Sequence, residues 1–307
     1  MRLARSCSAC AMILMMVVAS SEEECGVVTS GAIGEEKSQV DYYQAAHHYD
    51  KVWGSDNLHF GYFPHLERAT KTTVRLTHRQ AATELTERMM RMAGVGATSK
   101  VLDLGAGKGR ACVEIATLTG ASCFGLDLTP ANIERANELK AENPKLRLRY
   151  TVGSFTSLPA DVLEDAPYDV IVSQVAFCHV HTQLGVIFRE AVKVMGPQSL
   201  LMVNDYLGKN GDDFLPSTYE FVFKRLHFET LLGPQEWLGH AFDAGLKVQH
   251  YLTLDDHIKT AYLDMAAEAR SLGLKTTDGT DLATAYNMTA TAVDQGEIGM
   301  NLALLTL

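Results

Sequence analysis

Short apolar runs alternate with amphipathic segments along most of the chain, and this alternation predicts an α/β fold. Apolar runs of this length are typical of strands buried on both faces of a parallel sheet. The predicted strands are Val101–Leu104, Ala121–Leu126, Leu146–Val152, Tyr168–Ser173, Ser199–Asn204, Lys247–Leu252 and Gly299–Leu305. Helices are predicted over Thr70–Met92, Pro130–Glu142, Gln235–Ala244 and Ile258–Leu272. Together these elements predict a doubly wound, mostly parallel, seven-stranded Rossmann-like sheet.

Two stretches depart from this alternation. An aromatic-rich stretch precedes the sheet, and a polar stretch over 208–228 interrupts it. We therefore expect an N-terminal helical cap and an insertion over the edge of the sheet where open α/β sheets bind ligands. The predicted parts are 1–40 (leader or linker), 41–98 (cap), 99–207 (cofactor-binding core), 208–250 (insertion with its helix) and 251–307 (C-terminal helices and last strand).

The start of the chain has the order of a targeting peptide. Arg2 and Arg5 precede an apolar run over Ala11–Ala19, and small and acidic residues follow. The run is too short to cross a bilayer, which needs about 20 apolar residues. A disordered or wrongly assigned start explains the same residues equally well. We expect a cytoplasmic or organellar protein without stable membrane insertion.

Charge and composition restrict the partners. The 307 residues carry a net charge of −10, the pI is about 5.5, and Lys and Arg form no cluster. Such a surface repels a phosphate backbone, so no nucleic-acid partner is expected. A small-molecule substrate is predicted, and the composition leaves a homodimer open.

The six cysteines show no disulfide framework. Cys112, Cys123 and Cys178 lie in apolar segments, where free thiols pack as small hydrophobes. Cys7 and Cys10 have the spacing of a redox or metal pair, but no second pair completes a zinc site. No metal is predicted.

The segment VLDLGAGKGR (101–110) combines a buried strand, three alternating glycines and the start of a helix. Glycines allow the backbone to approach a ligand closely, and the helix N-terminus is directed at the same place. The next strand is followed by Asp127, which lies 20 residues after Gly107 (127 − 107 = 20). An acid there can accept hydrogen bonds from ribose hydroxyls. The segment therefore predicts an adenosine-containing cofactor.

Two residues distinguish the cofactor classes. A dinucleotide fingerprint has its third glycine where this chain has Arg110. Asp103 lies inside the strand, where a carboxylate would repel a pyrophosphate but attract a ligand carrying an amino group and a sulfonium. The pattern resembles the S-adenosylmethionine site of class I methyltransferases. A dinucleotide fold is the alternative, and a glycine turn without a ligand explains neither Asp103 nor Asp127.

Three further motifs narrow this resemblance. They are WGSDNLHFGYF (53–63), GSFTSLP (153–159) and SQVAFCHV (173–180). With the glycine turn they resemble the sarcosine/dimethylglycine N-methyltransferases. More broadly, they are similar to the methyltransferases that include tocopherol and sterol C-methylating enzymes. The resemblance runs from about Tyr42 to the C-terminus, and its motifs are not specific to one substrate.

The resemblance implies a set of cofactor-binding residues. The residues that would hold the methionine end are Asp103, Gly105, Ala106 and Gly107. Asp127 would bind the ribose, and the residues around the adenine would be Leu128, Ser154 and Phe155. Ser154 stands where many methyltransferases have Asp. Gln174 would lie near the sulfonium and the acceptor, and Trp53 belongs to an aromatic wall that can stabilise a sulfonium by cation–π contact.

Acceptor-binding and catalytic residues are also predicted. The acceptor-binding candidates are Tyr43, Tyr62, Phe177, His179 and Arg225. The catalytic candidates are His59, His179 and Gln174. The two histidines have intrinsic pKa values suited to taking a proton from an amine, or they orient the acceptor through a hydrogen bond. Arg225 is the candidate cation for a carboxylate, although a solvated charge beside Lys224 explains it as well.

The predicted function is methyl transfer from S-adenosylmethionine to a small carboxylate-bearing amine, in betaine-like osmolyte synthesis. Val175 stands where enzymes of the dimethylglycine type often have Asp, and it favours a less polar acceptor. The alternatives are S-methylation of a thioether acid of the methylthio-hydroxybutyrate type and C-methylation of a tocopherol- or sterol-like ring. A cofactor-binding subunit without catalytic activity is a further alternative.

Overall fold

The computed structural model describes residues 50–54, 59–67, 74–276 and 278–307, and the predicted leader lies outside these ranges. Seven strands form one sheet in the order β3-β2-β1-β4-β5-β7-β6. They are β1 Lys100–Leu104, β2 Ser122–Asp127, β3 Leu148–Val152, β4 Tyr168–Gln174, β5 Met195–Gly208, β6 Lys247–Thr253 and β7 Ile298–Thr306. The first five pair in parallel, and β7 runs antiparallel to β5 and β6. The predicted mostly parallel Rossmann-like sheet is confirmed.

Helices cover both faces of this sheet. They are α1 Asp50–Trp53, α2 His78–Met92, α3 Arg110–Thr119, α4 Pro130–Glu142, α5 Ala160–Glu164, α6 Leu184–Lys193, α7 Pro234–Asp243, α8 Asp255–Leu272 and α9 Leu282–Asp294. One core joins the sheet to α2, α3, α4, α8 and α9, and a second joins its other face to α5, α6 and α7. Among the described residues, no helix is long and apolar enough to cross a membrane.

The cap helix α2 is shorter than predicted. It begins at His78 rather than Thr70, and residues 74–77 are not helical. Thr77 is the N-cap residue: its hydroxyl accepts a hydrogen bond from the Gln80 backbone, and the Gln80 side chain accepts one from the Thr77 backbone. This capping box satisfies two backbone donors at the helix start. It fixes the boundary at a place that hydrophobic spacing alone does not show.

C-terminal helices are predicted over 251–307, but only the helix over Ile258–Leu272 has predicted bounds, and helix α9 is the second one. It is rich in Ala and Thr and has no charged residue until Asp294, so the usual surface pattern of charges is absent. Its N-cap is Asp281, whose side chain accepts a hydrogen bond from the Thr284 backbone. The cap and the spacing of Leu282, Tyr286 and Val293 were the available signals.

A disulfide joins Cys112 of α3 to Cys123 of β2, with 5.4 Å between the two Cα atoms. The prediction that these two residues are free thiols is wrong. They are 11 residues apart, and only the packing of α3 on β2 brings them together. Cys178 is free and buried, as predicted.

The insertion after β5 contains three consecutive helical turns, Pro216–Thr218, Tyr219–Phe223 and Lys224–Leu226, which we call the insertion helix. The middle turn is π-helical. Glu297, just before β7, anchors this segment, because its carboxylate accepts hydrogen bonds from the Leu215 backbone and the Thr218 hydroxyl. Lys209 also pairs with Glu297. The insertion is thereby fixed to the end of the sheet.

Candidate functional site

Polar side chains from three adjacent strands lie on one face at the carboxyl edge of the sheet. Asp103 of β1 is in register with Val172 of β4, and Gln174 of β4 is in register with Asn204 of β5. Side chains alternate along a strand, so Asp103, Gln174 and Tyr206 share the face covered by α2, α3 and α8. Ligands of open parallel sheets bind at this edge.

The glycine turn after β1 forms a close-fitting cradle. Gly105 has φ of 86°, and a Cβ atom added there would lie 2.3 Å from the Cβ atom of Ala176. Val175 has φ of 56°, a conformation strained for a β-branched residue. The Val175 amide donates a hydrogen bond to the Asn204 carbonyl at 2.7 Å, which stabilises this conformation. The next residue, Ala176, lies against the glycine turn. Only glycine fits at position 105.

Asp103 is a buried carboxylate with an unsatisfied oxygen. Its Oδ2 atom has no hydrogen-bond partner among the described residues. Burial and the nearby Asp127 carboxylate raise the pKa of Asp103 to about 7. A buried charge of this kind is costly unless it is paired. The arrangement therefore suits a ligand that brings a positive charge to Oδ2.

Asp127 ties the end of β2 to the glycine turn. Its Oδ2 atom accepts from the Gly107 amide at 2.8 Å, and its Oδ1 atom accepts from the Thr129 amide and the Asn132 side chain. A carboxylate has about four acceptor positions, so these bonds leave room for a further donor. Burial raises the pKa of Asp127, and these hydrogen bonds oppose that rise.

The predicted adenine wall is only partly as expected. Leu128, Ser154 and Phe155 remain partly accessible at the same edge. The Ser154 hydroxyl is hydrogen-bonded to the Thr156 hydroxyl and accepts from the Thr156 amide. Phe177, predicted to bind the acceptor, is fully buried behind Phe155, with 5.3 Å between the ring centroids. Phe177 is therefore a core residue behind Phe155, and its ring has no exposed surface with which to contact an acceptor.

An aromatic cluster lies beyond Gln174 on the same face. We define this cluster as Trp53, Phe60, Tyr206, Phe228, Tyr262 and Tyr286. Phe60 contacts Trp53, Tyr206 and Tyr262 at centroid distances of 4.7, 5.4 and 5.1 Å. The Trp53 indole N–H donates to the Tyr286 hydroxyl at 3.1 Å, which links the cap to α9. Trp53, predicted to contact the cofactor, therefore belongs to this aromatic cluster.

The candidate bases His59 and His179 are weak bases here. Burial lowers the pKa of His59, opposed by the nearby Glu114 carboxylate. Burial and the neighbouring His181 and His227 lower the pKa of His179 to about 3. Burial thus makes both imidazoles weaker bases than a free histidine, and the effect is large for His179. A neutral ring can still orient an acceptor by a hydrogen bond.

Gln174 ends β4, and His179 lies in the helical turn Phe177–Gln183 that follows it. The Gln174 side chain lies 3.5 Å from the Thr86 hydroxyl of α2, at the end of β4. The His179 ring contacts Phe228 with 5.3 Å between centroids. His179 therefore contacts the aromatic cluster through Phe228, and Gln174 contacts the cap helix α2.

Tyr62, Tyr43 and Arg225 are the remaining acceptor-binding candidates. Tyr62 is buried, stacked on His257 at 4.4 Å and under the Arg88 guanidinium at 4.3 Å. Its placement does not support acceptor binding. Tyr43 lies outside the described residues.

Arg225 lies at the end of the insertion helix and remains partly accessible. Its Nε atom donates to the Phe221 carbonyl at 3.0 Å, and its Nη2 atom donates to the hydroxyls of Tyr262 and Thr289 at 3.3 and 3.1 Å. These bonds join the insertion helix to α8 and α9.

The structure also shows a buried hydrogen bond between His181 and Asp205 that the sequence did not reveal. His181 and Asp205 are 3.1 Å apart, and the Leu232 amide donates to the Nδ1 atom of His181. His181 therefore carries its proton on Nε2 and donates it to Asp205. Asp205 also accepts from the Cys178 amide. This pair holds the His179 segment on β5. No group of three or more His, Cys, Asp or Glu among the described residues could hold a metal ion.

Comparison with known proteins agrees with this geometry. Residues 96–229 match a family model described as a methyltransferase domain. The chain contains a methyltransferase domain. At the level of this domain, the predicted class of S-adenosylmethionine-dependent methyltransferases is confirmed.

Relatives of the methyltransferase domain act on different acceptors. One is the glycine/sarcosine/dimethylglycine N-methyltransferase of Actinopolyspora halophila, 24% identical over 79% of this chain and 40% of that protein. Another is the 27-O-demethylrifamycin SV methyltransferase of Amycolatopsis mediterranei, 31% identical over 52% of this chain and 54% of that protein. The chain thus spans about half or less of the length of these two relatives.

A solved structure from Galdieria sulphuraria has the same fold. That protein is provisionally assigned as a sarcosine dimethylglycine methyltransferase; it has a TM-score of 0.71 and 22% identity, and the match covers 87% of this chain and 98% of that one. At this identity the likeness concerns the fold alone.

Proposed function

We propose that this protein transfers a methyl group from S-adenosylmethionine to the nitrogen of a small carboxylate-bearing amine of the sarcosine or dimethylglycine kind. The product would be a betaine-like osmolyte. The observation that carries the proposal is Asp103, a buried carboxylate with an unsatisfied Oδ2 atom beside the glycine cradle. The acceptor is suggested by the relative from Actinopolyspora halophila.

The residues at the carboxyl edge fit this cofactor. Asp103 and Asp127 are close enough for the Asp127 charge to raise the pKa of Asp103. Both carboxylates would be stabilised by a nearby positive charge. A pyrophosphate would add negative charge to this edge, whereas an ammonium and a sulfonium would reduce the repulsion. Gly105 leaves space above Ala176 where any side chain would clash. The site therefore favours a cationic adenosine cofactor over a dinucleotide.

When bound, S-adenosylmethionine supplies an electrophilic methyl group on a sulfonium. Asp103 would hold the ammonium of its methionine end, and Asp127 would accept from a ribose hydroxyl in its remaining acceptor position. Gln174 would orient the reacting centres between the cofactor edge and the aromatic cluster. The protein thus contributes alignment and a dry pocket, which are the main demands of in-line methyl transfer.

A second candidate function is methylation of the sulfur of a thioether acid. The weak basicity of His59 and His179 favours it, because a thioether carries no proton to remove. An amine acceptor would need to arrive unprotonated, or lose its proton to water, if these histidines are the only nearby bases. The two candidates share the carboxylate and differ only in the nucleophilic atom.

Incubation with methyl-labelled cofactor and an acceptor panel tests the proposal. The panel contains glycine, sarcosine, dimethylglycine, methylthio-hydroxybutyrate and a tocopherol precursor. Label transferred to sarcosine or dimethylglycine is the expected result. Label found only on methylthio-hydroxybutyrate would establish the second candidate, and label only on the tocopherol precursor would contradict both.

A further inference from the structure

The Cys112–Cys123 disulfide joins the two segments that carry the residues of the cofactor edge. Cys112 lies in the first turn of α3, five residues after Gly107 (112 − 107 = 5). Cys123 lies in β2, four residues before Asp127 (127 − 123 = 4). The covalent link therefore connects the helix that follows the glycine turn to the strand that ends in the predicted ribose ligand.

Hydrogen bonds place the glycine turn against the end of β2. The Asp127 carboxylate accepts from the Gly107 amide at 2.8 Å. The amides of Gly105 and Ala106 both donate to the Leu126 carbonyl, at 2.8 and 2.9 Å. The shape of the cofactor cradle thus depends on where α3 and its turn lie relative to β2, which is the relation that the disulfide fixes.

The packing around this contact leaves little room for a shift. A Cβ atom added to Gly125 of β2 would lie 2.8 Å from the Cβ atom of Ala106, and one added to Gly109 would lie 2.7 Å from that of Ala136. The Tyr150 ring lies within 3 Å of both added positions, and its hydroxyl donates to the Gly109 carbonyl at 3.0 Å. Two thiols need more space than one disulfide, because non-bonded atoms keep a separation of about 3.5–4.0 Å. In such a close-packed interior, reduction must displace α3 or β2.

Burial controls how a reductant reaches the disulfide. Cys112 is 0% exposed and Cys123 is 2% exposed. A thiolate must approach one sulfur directly, so it reacts with an opened form in which α3 has moved away from β2. The same opening separates Gly107 from Asp127. A cofactor bound across the glycine turn and Asp127 opposes this opening.

We propose that the Cys112–Cys123 disulfide is a redox switch for cofactor binding, and that the oxidised protein binds S-adenosylmethionine more tightly than the reduced one. The reductant is a dithiol. One of its thiolates attacks a sulfur of the disulfide to form a mixed disulfide, and its second thiol displaces the remaining cysteine. Two electrons and two protons pass to Cys112 and Cys123, and the reductant becomes the disulfide. This inference goes beyond the proposed function, because it concerns the cofactor and holds for any methyl acceptor.

The test compares the affinity of the oxidised and the reduced protein for S-adenosylmethionine. The full chain is titrated calorimetrically before and after treatment with dithiothreitol, and mass spectrometry after alkylation counts the thiols. We expect affinity to fall about tenfold on reduction, within the usual range for coupled sites, and to return on reoxidation. Circular dichroism at the titration temperature establishes that the reduced chain is folded.

Linkage supplies a second measurement that does not depend on activity. If the oxidised protein binds the cofactor tenfold more tightly, saturating cofactor must make the disulfide tenfold harder to reduce. The midpoint potential of the Cys112–Cys123 couple should then be about 30 mV more negative with S-adenosylmethionine than without it. Reduction by dithiothreitol should also be slower in the complex.

Two variants assign the effect to this pair of cysteines. Cys123→Ser cannot form the disulfide, so its affinity should be low and should not respond to dithiothreitol. Cys178→Ala is the matched control: it removes a buried cysteine that is free, and it should keep the redox dependence of the wild type.

Every outcome bears on the switch. Equal affinity of the oxidised and reduced wild type overturns it, as does a response to dithiothreitol that persists in Cys123→Ser. A reduced wild type that unfolds would make the disulfide a structural link alone and also overturns it. Should Cys123→Ser fail to fold, the potential measured with and without cofactor decides, and an unchanged potential overturns the switch. Redox-dependent binding without methyl transfer to any acid of the acceptor panel rejects the proposed function and retains the switch.

Discussion

The cofactor edge and the acceptor side of this protein are built in different ways. At the cofactor edge, the residues that we propose to bind the cofactor are close in sequence: Asp103 lies in β1, Gly105 in the turn after it, and Asp127 ends the next strand. On the acceptor side, contacts join distant segments, such as Trp53 with Tyr286, 233 residues apart, and Arg225 with Thr289. The first region is defined by carboxylates and glycines, the second by aromatic rings and one arginine. A short motif can therefore specify the cofactor, whereas the acceptor depends on the whole fold.

The largest expected effect is at Asp103. In Asp103→Asn the cofactor's ammonium loses its charged partner, and affinity for S-adenosylmethionine should fall by about 3 kcal/mol, or about 150-fold. Calorimetric titration measures this loss. Asp161→Asn is the control, because Asp161 lies in an exposed ion pair with Arg149 and should leave affinity unchanged. An unchanged affinity for S-adenosylmethionine in Asp103→Asn would contradict the proposed role of Asp103, and with it the proposed difference between the two regions.

The Cys112–Cys123 disulfide, which joins α3 to β2, should stabilise the folded protein. A covalent link over 11 residues contributes about 3 kcal/mol by restricting the unfolded chain. Cys123→Ser should therefore lower the melting temperature, and a reducing agent should lower that of the wild type but not of the variant. Mass spectrometry of the unreduced protein checks the link directly. A count of three free thiols among Cys112, Cys123 and Cys178 in the oxidised protein would contradict it.

Cofactor binding should depend on pH through Asp103. Its pKa is about 7 in the cofactor-free protein, and a cationic cofactor favours the carboxylate form. Below pH 7 the proton competes with the cofactor, so affinity should fall by up to about tenfold per pH unit. Since the folded pKa lies above the unfolded value, this group's contribution to the stability of the cofactor-free protein is lost as pH rises towards 7 and above. Thermal shifts caused by S-adenosylmethionine should be larger at pH 8 than at pH 6.

The variant Asp103→Asn is the control for this pH dependence. Its thermal shift should vary much less between pH 6 and pH 8. An equal pH dependence in the variant and the wild type would assign the proton to another group.

The smallest effect is expected for the pH profile of His179→Gln. Because the pKa of His179 is about 3, its protonation state does not change between pH 5 and 8. The profiles of kcat/KM against pH for wild type and variant should have the same shape, even if the variant is slower overall. Loss of an acidic limb near pH 6 in the variant would show that His179 titrates as a base.

The difference between the cofactor edge and the acceptor side also explains which features could be predicted from the sequence. The strands could be predicted from local apolar runs. The glycine turn could be predicted because closely spaced glycines indicate a place where the backbone approaches a ligand. The roles of Tyr62 and Phe177 were not predictable, because an aromatic residue in a motif can face a ligand or the core, and packing against His257 or Phe155 decides which. The basicity of His179 likewise depends on burial beside His181 and His227, which no spacing shows.

The cofactor assignment is tested most directly by titrating the wild-type protein with S-adenosylmethionine and, separately, with an oxidised nicotinamide dinucleotide. A cation at the carboxyl edge would pair with the Asp103 oxygen that has no hydrogen-bond partner among the described residues. It would also reduce the repulsion between the Asp103 and Asp127 carboxylates. We predict one-to-one binding of S-adenosylmethionine and no measurable binding of the dinucleotide. Tighter binding of the dinucleotide, or no binding of S-adenosylmethionine, would contradict the account.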